Sequence, residues 1–237
     1  MSPRVNDFTI NIATANGTGS QSANLVILHS MYEMGVPVSG KNLFPSNISG
    51  LPTWFIIRAS DAGYQAPGDY THIQIMMNKD TWQKDLDSLD PGTVIIYNED
   101  AKLPVDREDC TVLGMPMTKM ARKISPKMAK LMANMYYVGA LAHILKIDEE
   151  AIEKAIYQQF GGKEKAIEWN MQAISEGKEF ARENWDYESE FVVETREKNP
   201  NTFLIEGNEA TALGAIYGGI NMLSWYPITP SSSIAES

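Results

Sequence analysis

Cysteine is nearly absent, with Cys110 the only one in 237 residues. One thiol makes no intramolecular disulfide and no framework for an iron–sulfur cluster or a structural zinc, so any cluster belongs to a partner. Histidine is almost as scarce: His29, His72 and His143 are scattered without ligand spacing, and no histidine-built metal site is expected. Positive charge is in deficit, 20 Lys and Arg against 30 Asp and Glu, for a formal net charge of −10. That balance argues against a general nucleic-acid binder or a binder of acidic membranes. Most of the excess acid lies between Asp148 and Glu197, where it reads as a solvated helical face. The sequence has no GxSxG elbow, no isolated carboxylate pair, no internal repeat and no low-complexity tract. No apolar run approaches the length of a bilayer span, and MSPRVNDFTINIAT lacks the pattern of a signal peptide, so a cytoplasmic protein is predicted.

What the chain does have is enough apolar content, 43%, for a real core. Phe8 to Ala13 reads as a buried strand. It breaks at Asn16-Gly17-Thr18-Gly19-Ser20-Gln21-Ser22 before an apolar helical stretch, Leu25 to Met34. A strand, a glycine loop and a helix form a nucleotide-binding opening, with Gly17 at the tight turn and Gly19 letting backbone amides approach a phosphate. The third glycine of GxGxxG is Ser22, and the next strand, near Val36 to Val38, is followed by Ser39-Gly40-Lys41 rather than by an acid that could grip a ribose. NAD is therefore disfavoured, and coenzyme A is the better candidate, with Lys41 on a phosphate. The same loop could serve only to turn the chain.

Phe44 to Gly50 reads as a loop at the carboxyl end of the sheet. Ser46 and Asn47 are candidate ligand contacts there, or equally the makers of local turns. Strands are predicted at Thr53–Ala59, His72–Met77, Thr93–Tyr97 and Thr111–Leu113, a turn-rich insert at Tyr64–Tyr70, and a short helix at Asp80–Leu86. Together they give an α/β fold with a mostly parallel, Rossmann-like sheet. From Pro126 the chain turns helical. Met128, Leu131, Met132, Met135, Val138, Leu141, Ala142 and Leu145 share one face, Asp148 caps a helix ended by Gly161-Gly162, and another helix runs from about Lys163 to Asn184. Tyr187 to Asn201 is charged and ends in Asn-Pro-Asn. The expected organisation is a domain over 1–185, a linker over 186–201 and the truncated start of a second α/β domain over 202–237.

Near the end, Trp225-Tyr226-Pro227-Ile228-Thr229-Pro230-Ser231-Ser232 reads as a strand running into a helix. Thr229 would be the N-cap, Pro230 the first helical residue, and the free donors of Ser231 and Ser232 would suit an anion. On local physics alone a capped turn explains it as well.

YPITPSS, preceded by FLIEGNEATALGAIYGG (Phe203 to Gly219), resembles the start of the pyrimidine-binding domain of 2-oxoacid:ferredoxin oxidoreductases. GTGSQSAN (Gly17 to Asn24) and FPSNISGLPTWFIIR (Phe44 to Arg58) resemble the γ domain of that family, in the arrangement most like the 2-oxoglutarate type. The resemblance implies the N-terminal part of an α subunit that takes part in oxidative decarboxylation of a 2-oxoacid, with coenzyme A as acyl acceptor and ferredoxin as electron acceptor. It places the substrate carboxylate at Thr229, with Ser231 and Ser232 as candidate contacts from the local reading, and it agrees with coenzyme A as the ligand for which Gly17, Thr18, Gly19, Ser20, Gln21, Ser22, Lys41 and Asn47 are the candidate contacts. Thiamine diphosphate, magnesium and the iron–sulfur cluster are implied mainly on a β subunit. The activating glutamate of the family lies beyond YPITPSS, so no catalytic residue is expected in this chain, which should be inactive alone. The rival expectation is a non-catalytic α/β module that binds a nucleotide ligand and docks to a partner.

Overall fold

The computed structural model describes residues 3–44, 50–198, 201–228 and 231–237. The chain divides into two units, Met1–Lys198 and Asn199–Ser237. In the first, the elements run β1 (Arg4–Val5), β2 (Asp7–Ala15), α1 (Ser20–Glu33), β3 (Val38–Leu43), β4 (Pro52–Ser60), β5 (Ile73–Met76), α2 (Trp82–Asp87), β6 (Val94–Asn98), β7 (Thr111–Met115), α3 (Met117–Ile124), α4 (Ala129–Leu145), α5 (Glu149–Phe160), α6 (Glu164–Asn184) and β8 (Phe191–Val192). The second holds α7 (Gly207–Tyr217) and α8 (Ser232–Glu236).

Six strands form one sheet in the order β3-β4-β2-β5-β6-β7. β2, β5, β6 and β7 run parallel, as the expected α/β fold requires, while β4 runs antiparallel to both β2 and β3. The reversal follows from the connection between Leu43 at the end of β3 and Pro52 at the start of β4, which is too short for a crossover to the same end. The alternation of strand side chains then sorts residues to two faces. Asn42 bonds to Gln21 of α1, and an added Cβ on Gly40 would meet Leu28 of α1, so this parity, which includes Phe55 and Ile12, faces α1. The opposite parity carries Leu43, Trp54 and Asn11, and Trp54 bonds to Asp85 of α2. α2 closes a second apolar cluster of Met76, Trp82, Leu86, Leu89 and Ile95 on that side.

The apolar face predicted from Met128 to Leu145 is α4, preceded by α3, a helix the sequence did not indicate. α4 and α6 pack so closely that their backbones touch. A Cβ added to Gly139 would lie 2.0 Å from the Ile174 carbonyl oxygen, and one on Gly177 would lie 2.4 Å from that of Tyr136. Glycine is required at both positions for close approach.

The linker expected at 186–201 needs correction. β8 pairs with β1, the Val193 N–H donates to the Leu145 carbonyl (2.8 Å), and Phe191, Val192 and Val193 are buried. Asn6 clamps the next residue, donating through Nδ2 to the Glu194 carbonyl and accepting its N–H. The charge around this segment disguised three apolar residues that complete the first unit.

In the second unit, α7 buries only Ala212. Residues 221–228, which include the stretch from Trp225 where a strand was expected, take no regular structure, since no strand among the described residues of this unit offers a ladder and Pro227 has no N–H to give. Tyr217, Met222 and Tyr226 are 90%, 81% and 77% exposed.

Candidate functional site

β2 is central in the sheet, and the chain leaves its carboxyl end through the glycine loop into α1. Gly17 and Gly19 both have φ 77°, a left-handed conformation that favours glycine, and Gly19 is the N-cap of α1. The turn is closed from within by the Thr18 hydroxyl, which donates to the Ala15 carbonyl (2.7 Å). Asn16 ties the loop to the start of β4, its N–H donating to the Leu51 carbonyl and its carbonyl accepting from Gly50, each at 2.8 Å. Among the described residues no side chain caps α1, and its first turn carries no acid, so its first amides and the positive end of the helix dipole suit an anion.

The loop side chains divide. Ser20 is buried, and its Oγ accepts from the Thr14 hydroxyl (2.9 Å), so its side chain turns to the sheet and only its amide is offered outward. Gln21 is exposed, with Oε1 accepting from Asn42 Nδ2 (3.1 Å), which leaves its own amide hydrogens free to point outward. Ser22 Oγ lies 3.4 Å from Gln159 Nε2 of α5. Over the loop sits the start of α4. Leu131 Cδ2 would lie 3.0 Å from a Cβ on Gly19, and buried Asn134 donates from Nδ2 to the Thr18 carbonyl (2.6 Å).

Lys41 does not join this group. It lies within β3, not in a loop, and register places it level with Ile56 and Asn11 on the face away from α1. Asn47, like Ser46, lies outside the described residues. So does Thr229, the expected helix cap. α8 starts at Ser232, two residues later than expected, with Ser231 as its N-cap. The Ser231 and Ser232 amides, expected to be free donors, both donate to the Ile228 carbonyl (2.8 and 3.3 Å). The Ser231 hydroxyl lies 2.7 Å from that oxygen and 3.0 Å from the Tyr226 carbonyl. A turn closing on Ile228 thus engages the donors that the sequence assigned to an anion.

Two hollows lie apart from the loop. One, about 480 Å³, is lined by Asn11, Leu43, Phe44, Trp54, Lys84, Asp85 and Ser88. Burial raises the pKa of the Asp85 carboxyl, although it accepts from Trp54 Nε1 (2.8 Å) and the Thr81 hydroxyl (2.6 Å), which favour its charged form. The other, about 250 Å³, lies against His143, Glu149, Lys178 and Arg182. There burial, then the two nearby cations, lower the pKa of His143. His72 sits elsewhere, at the β1–β8 end, and is also held neutral. Its pKa is lowered to about 4 by burial and by Arg4 and Arg58, against the opposing pull of Asp7. Its Nδ1 accepts from the Thr9 N–H (3.0 Å). Among the described residues no three His, Cys, Asp or Glu side chains converge to hold a metal ion.

Asn134 and Asn42 were not foreseen. Asn134 stands out in the sequence only as one amide inside an apolar helical run, a signal that becomes readable once the partner loop is known.

The strand, the loop with its two left-handed glycines and the helical cover define an oxidoreductase γ-domain fold. A solved structure of the keto/oxoacid ferredoxin oxidoreductase γ subunit of Geobacter sulfurreducens shares it, with TM-score 0.59 and 18% identity, covering 74% of this chain and 98% of that one. The chain belongs to the pyruvate ferredoxin/flavodoxin oxidoreductase family, whose model matches residues 9–180. It is 24% identical over 271 residues to the α subunit of 2-oxoacid:ferredoxin oxidoreductase 2 of Aeropyrum pernix, covering 97% of this chain and 42% of that subunit. It is also 24% identical over 185 residues to ketoisovalerate oxidoreductase subunit VorA of Methanothermobacter thermautotrophicus, covering 77% and 38%. The 2-oxoglutarate:ferredoxin oxidoreductase of Magnetococcus marinus, solved with 2-oxoglutarate, coenzyme A and succinyl-CoA bound, superposes with TM-score 0.85 at 27% identity, covering 98% of this chain and 40% of that one. The chain thus spans about two-fifths of the length of these curated relatives.

Proposed function

We propose that this chain forms the N-terminal part of the α subunit of a 2-oxoacid:ferredoxin oxidoreductase that acts on 2-oxoglutarate, and that its glycine loop holds the phosphates of coenzyme A. The observation that carries the reading is the loop itself: two left-handed glycines opening an uncapped helix at the carboxyl end of the central parallel strand. Such an opening presents amides to an anion without a side chain in the way. Gly17, Thr18, Gly19 and Ser20 contribute backbone, and Gln21 and Ser22 add side-chain polar groups at the rim. Asn47 is proposed as a further contact. The bound coenzyme A of the Magnetococcus enzyme, which this chain matches over almost its whole length, supports the ligand and the substrate class.

Residues 202–237 are proposed as the start of a pyrimidine-binding domain, with Thr229 meeting the substrate carboxylate. Thiamine diphosphate, when bound in the assembly, supplies the carbanion stabilisation that decarboxylation needs. A β subunit that would hold thiamine diphosphate and its magnesium, and ferredoxin as electron acceptor, are proposed as partners, in keeping with the subunit and acceptor named for the Aeropyrum relative. The chain's own part is to bind and orient the acyl acceptor.

The test is reconstitution. The complete α subunit, assembled with its β subunit, should reduce ferredoxin in a reaction that requires both 2-oxoglutarate and coenzyme A. Reduction with no coenzyme A requirement contradicts the assignment of the loop, and faster turnover of pyruvate or a branched 2-oxoacid contradicts the assignment of the substrate.

A further inference from the structure

We propose that Asn134 is a positioning residue for the glycine loop, fixing the peptide whose amide meets a phosphate of coenzyme A. The role rests on the loop being a phosphate cradle, as proposed above. Asn134 is 2% exposed in the otherwise apolar core of α4. Its Nδ2 lies 2.6 Å from the Thr18 carbonyl and 3.3 Å from that of Leu131. Both partners are pure acceptors, so the orientation of the amide is dictated by chemistry: nitrogen faces the loop.

The consequence passes through the peptide bond. Thr18 lies between two glycines at φ 77°, a pairing with many alternative conformations. Its hydroxyl holds the turn from the side of the sheet, through the Ala15 carbonyl. Asn134 holds it from the other side, by the carbonyl. In a planar trans peptide the C=O and the following N–H point in opposite directions. Drawing the Thr18 carbonyl toward α4 therefore turns the Gly19 N–H away from α4, toward the open side of the loop where the first amides of α1 also point. Leu131, seated over Gly19, keeps the loop from rising into the helix. α4 thus holds one amide in the direction an anion needs.

The experiment uses the full 237-residue chain. Amide hydrogen exchange across residues 17–22 is measured without ligand, and coenzyme A affinity is measured by calorimetry, for Asn134→Ala, Asn134→Ser and Tyr137→Phe. Tyr137 is the comparison because its hydroxyl ties the same helix, α4, to α1, donating to Asn24 Oδ1 (2.8 Å), without touching the loop. The Asn134 variants should exchange the loop amides about tenfold faster and bind coenzyme A about tenfold more weakly, while Tyr137→Phe changes neither. Serine is too short to reach the Thr18 carbonyl yet keeps a polar group, so it serves should alanine fail to fold. Wild-type loop exchange in a folded Asn134 variant overturns the tether, as does an equal effect from Tyr137→Phe. Failure of the unaltered chain to bind coenzyme A overturns the phosphate-cradle reading and the role with it, a result distinguishable because loop exchange needs no ligand.

Discussion

His72 makes the stability of the first unit depend on pH in a calculable direction. Its ring accepts from the Thr9 N–H and lies beside the guanidinium groups of Arg4 and Arg58, so a proton on it would lose solvation and meet like charge. The folded pKa falls from 6.5 to about 4. In the unfolded chain the ring binds a proton below about pH 6.5, while in the fold it resists. Its contribution is therefore complete above pH 6.5 and is lost progressively as pH falls to about 4, below which both states are protonated. Each tenfold change in proton affinity is worth about 1.4 kcal/mol, which bounds the effect at about 3.5 kcal/mol. The ring is only half-buried, and solvent screening brings the expected figure to about 1–2 kcal/mol. Urea unfolding of the wild type and of His72→Gln from pH 7.5 to 4 isolates the term, because every other titrating group cancels in the difference. The wild type should lose about 1–2 kcal/mol relative to the variant over that range. A difference that stays flat with pH, or moves the other way, refutes the reasoning.

Further outcomes follow from the packing and from the proposed site. Gly139→Ala forces a methyl into the Ile174 carbonyl and should destabilise the α4–α6 pair by about 2–3 kcal/mol, read as a lower thermal midpoint. Lys41→Ala should leave coenzyme A affinity within about twofold in calorimetry, because its side chain faces away from α1. In the complete assembled enzyme, Thr229→Val should lower turnover with the 2-oxoacid roughly ten- to a hundredfold, as loss of one hydrogen bond to a carboxylate would, with thiamine diphosphate binding near normal. Unchanged kinetics would contradict the carboxylate contact proposed for Thr229.

Local signals served where the chain's own pattern decides the outcome. The alternation from Phe8 to Ala13, the glycine break and the apolar stretch after it gave β2, the loop and α1. The apolar stripe from Met128 to Leu145 gave α4. Failures came where partners remote in sequence decide. β8 was hidden because Phe191-Val192-Val193 is short and set among acids, and only pairing with β1 and contact with Leu145 make it structural. Lys41 was given a phosphate because it follows the second strand, where a dinucleotide fold carries an acid, whereas the register with β4 turns it to the face away from α1. Ser20 looked like a ligand donor until Thr14, six residues earlier, was seen to turn it inward. Asn134 lies 116 residues from Thr18, beyond any local signal.

The central claim, that the Gly17–Ser22 loop receives the phosphates of coenzyme A, is tested most directly by amide exchange on the full chain with and without saturating coenzyme A, with NAD in a parallel sample. The account predicts that coenzyme A slows exchange at residues 17–22 selectively and that NAD at the same concentration does not. Protection by NAD in preference to coenzyme A, or protection by coenzyme A confined to residues remote from the loop, would contradict it.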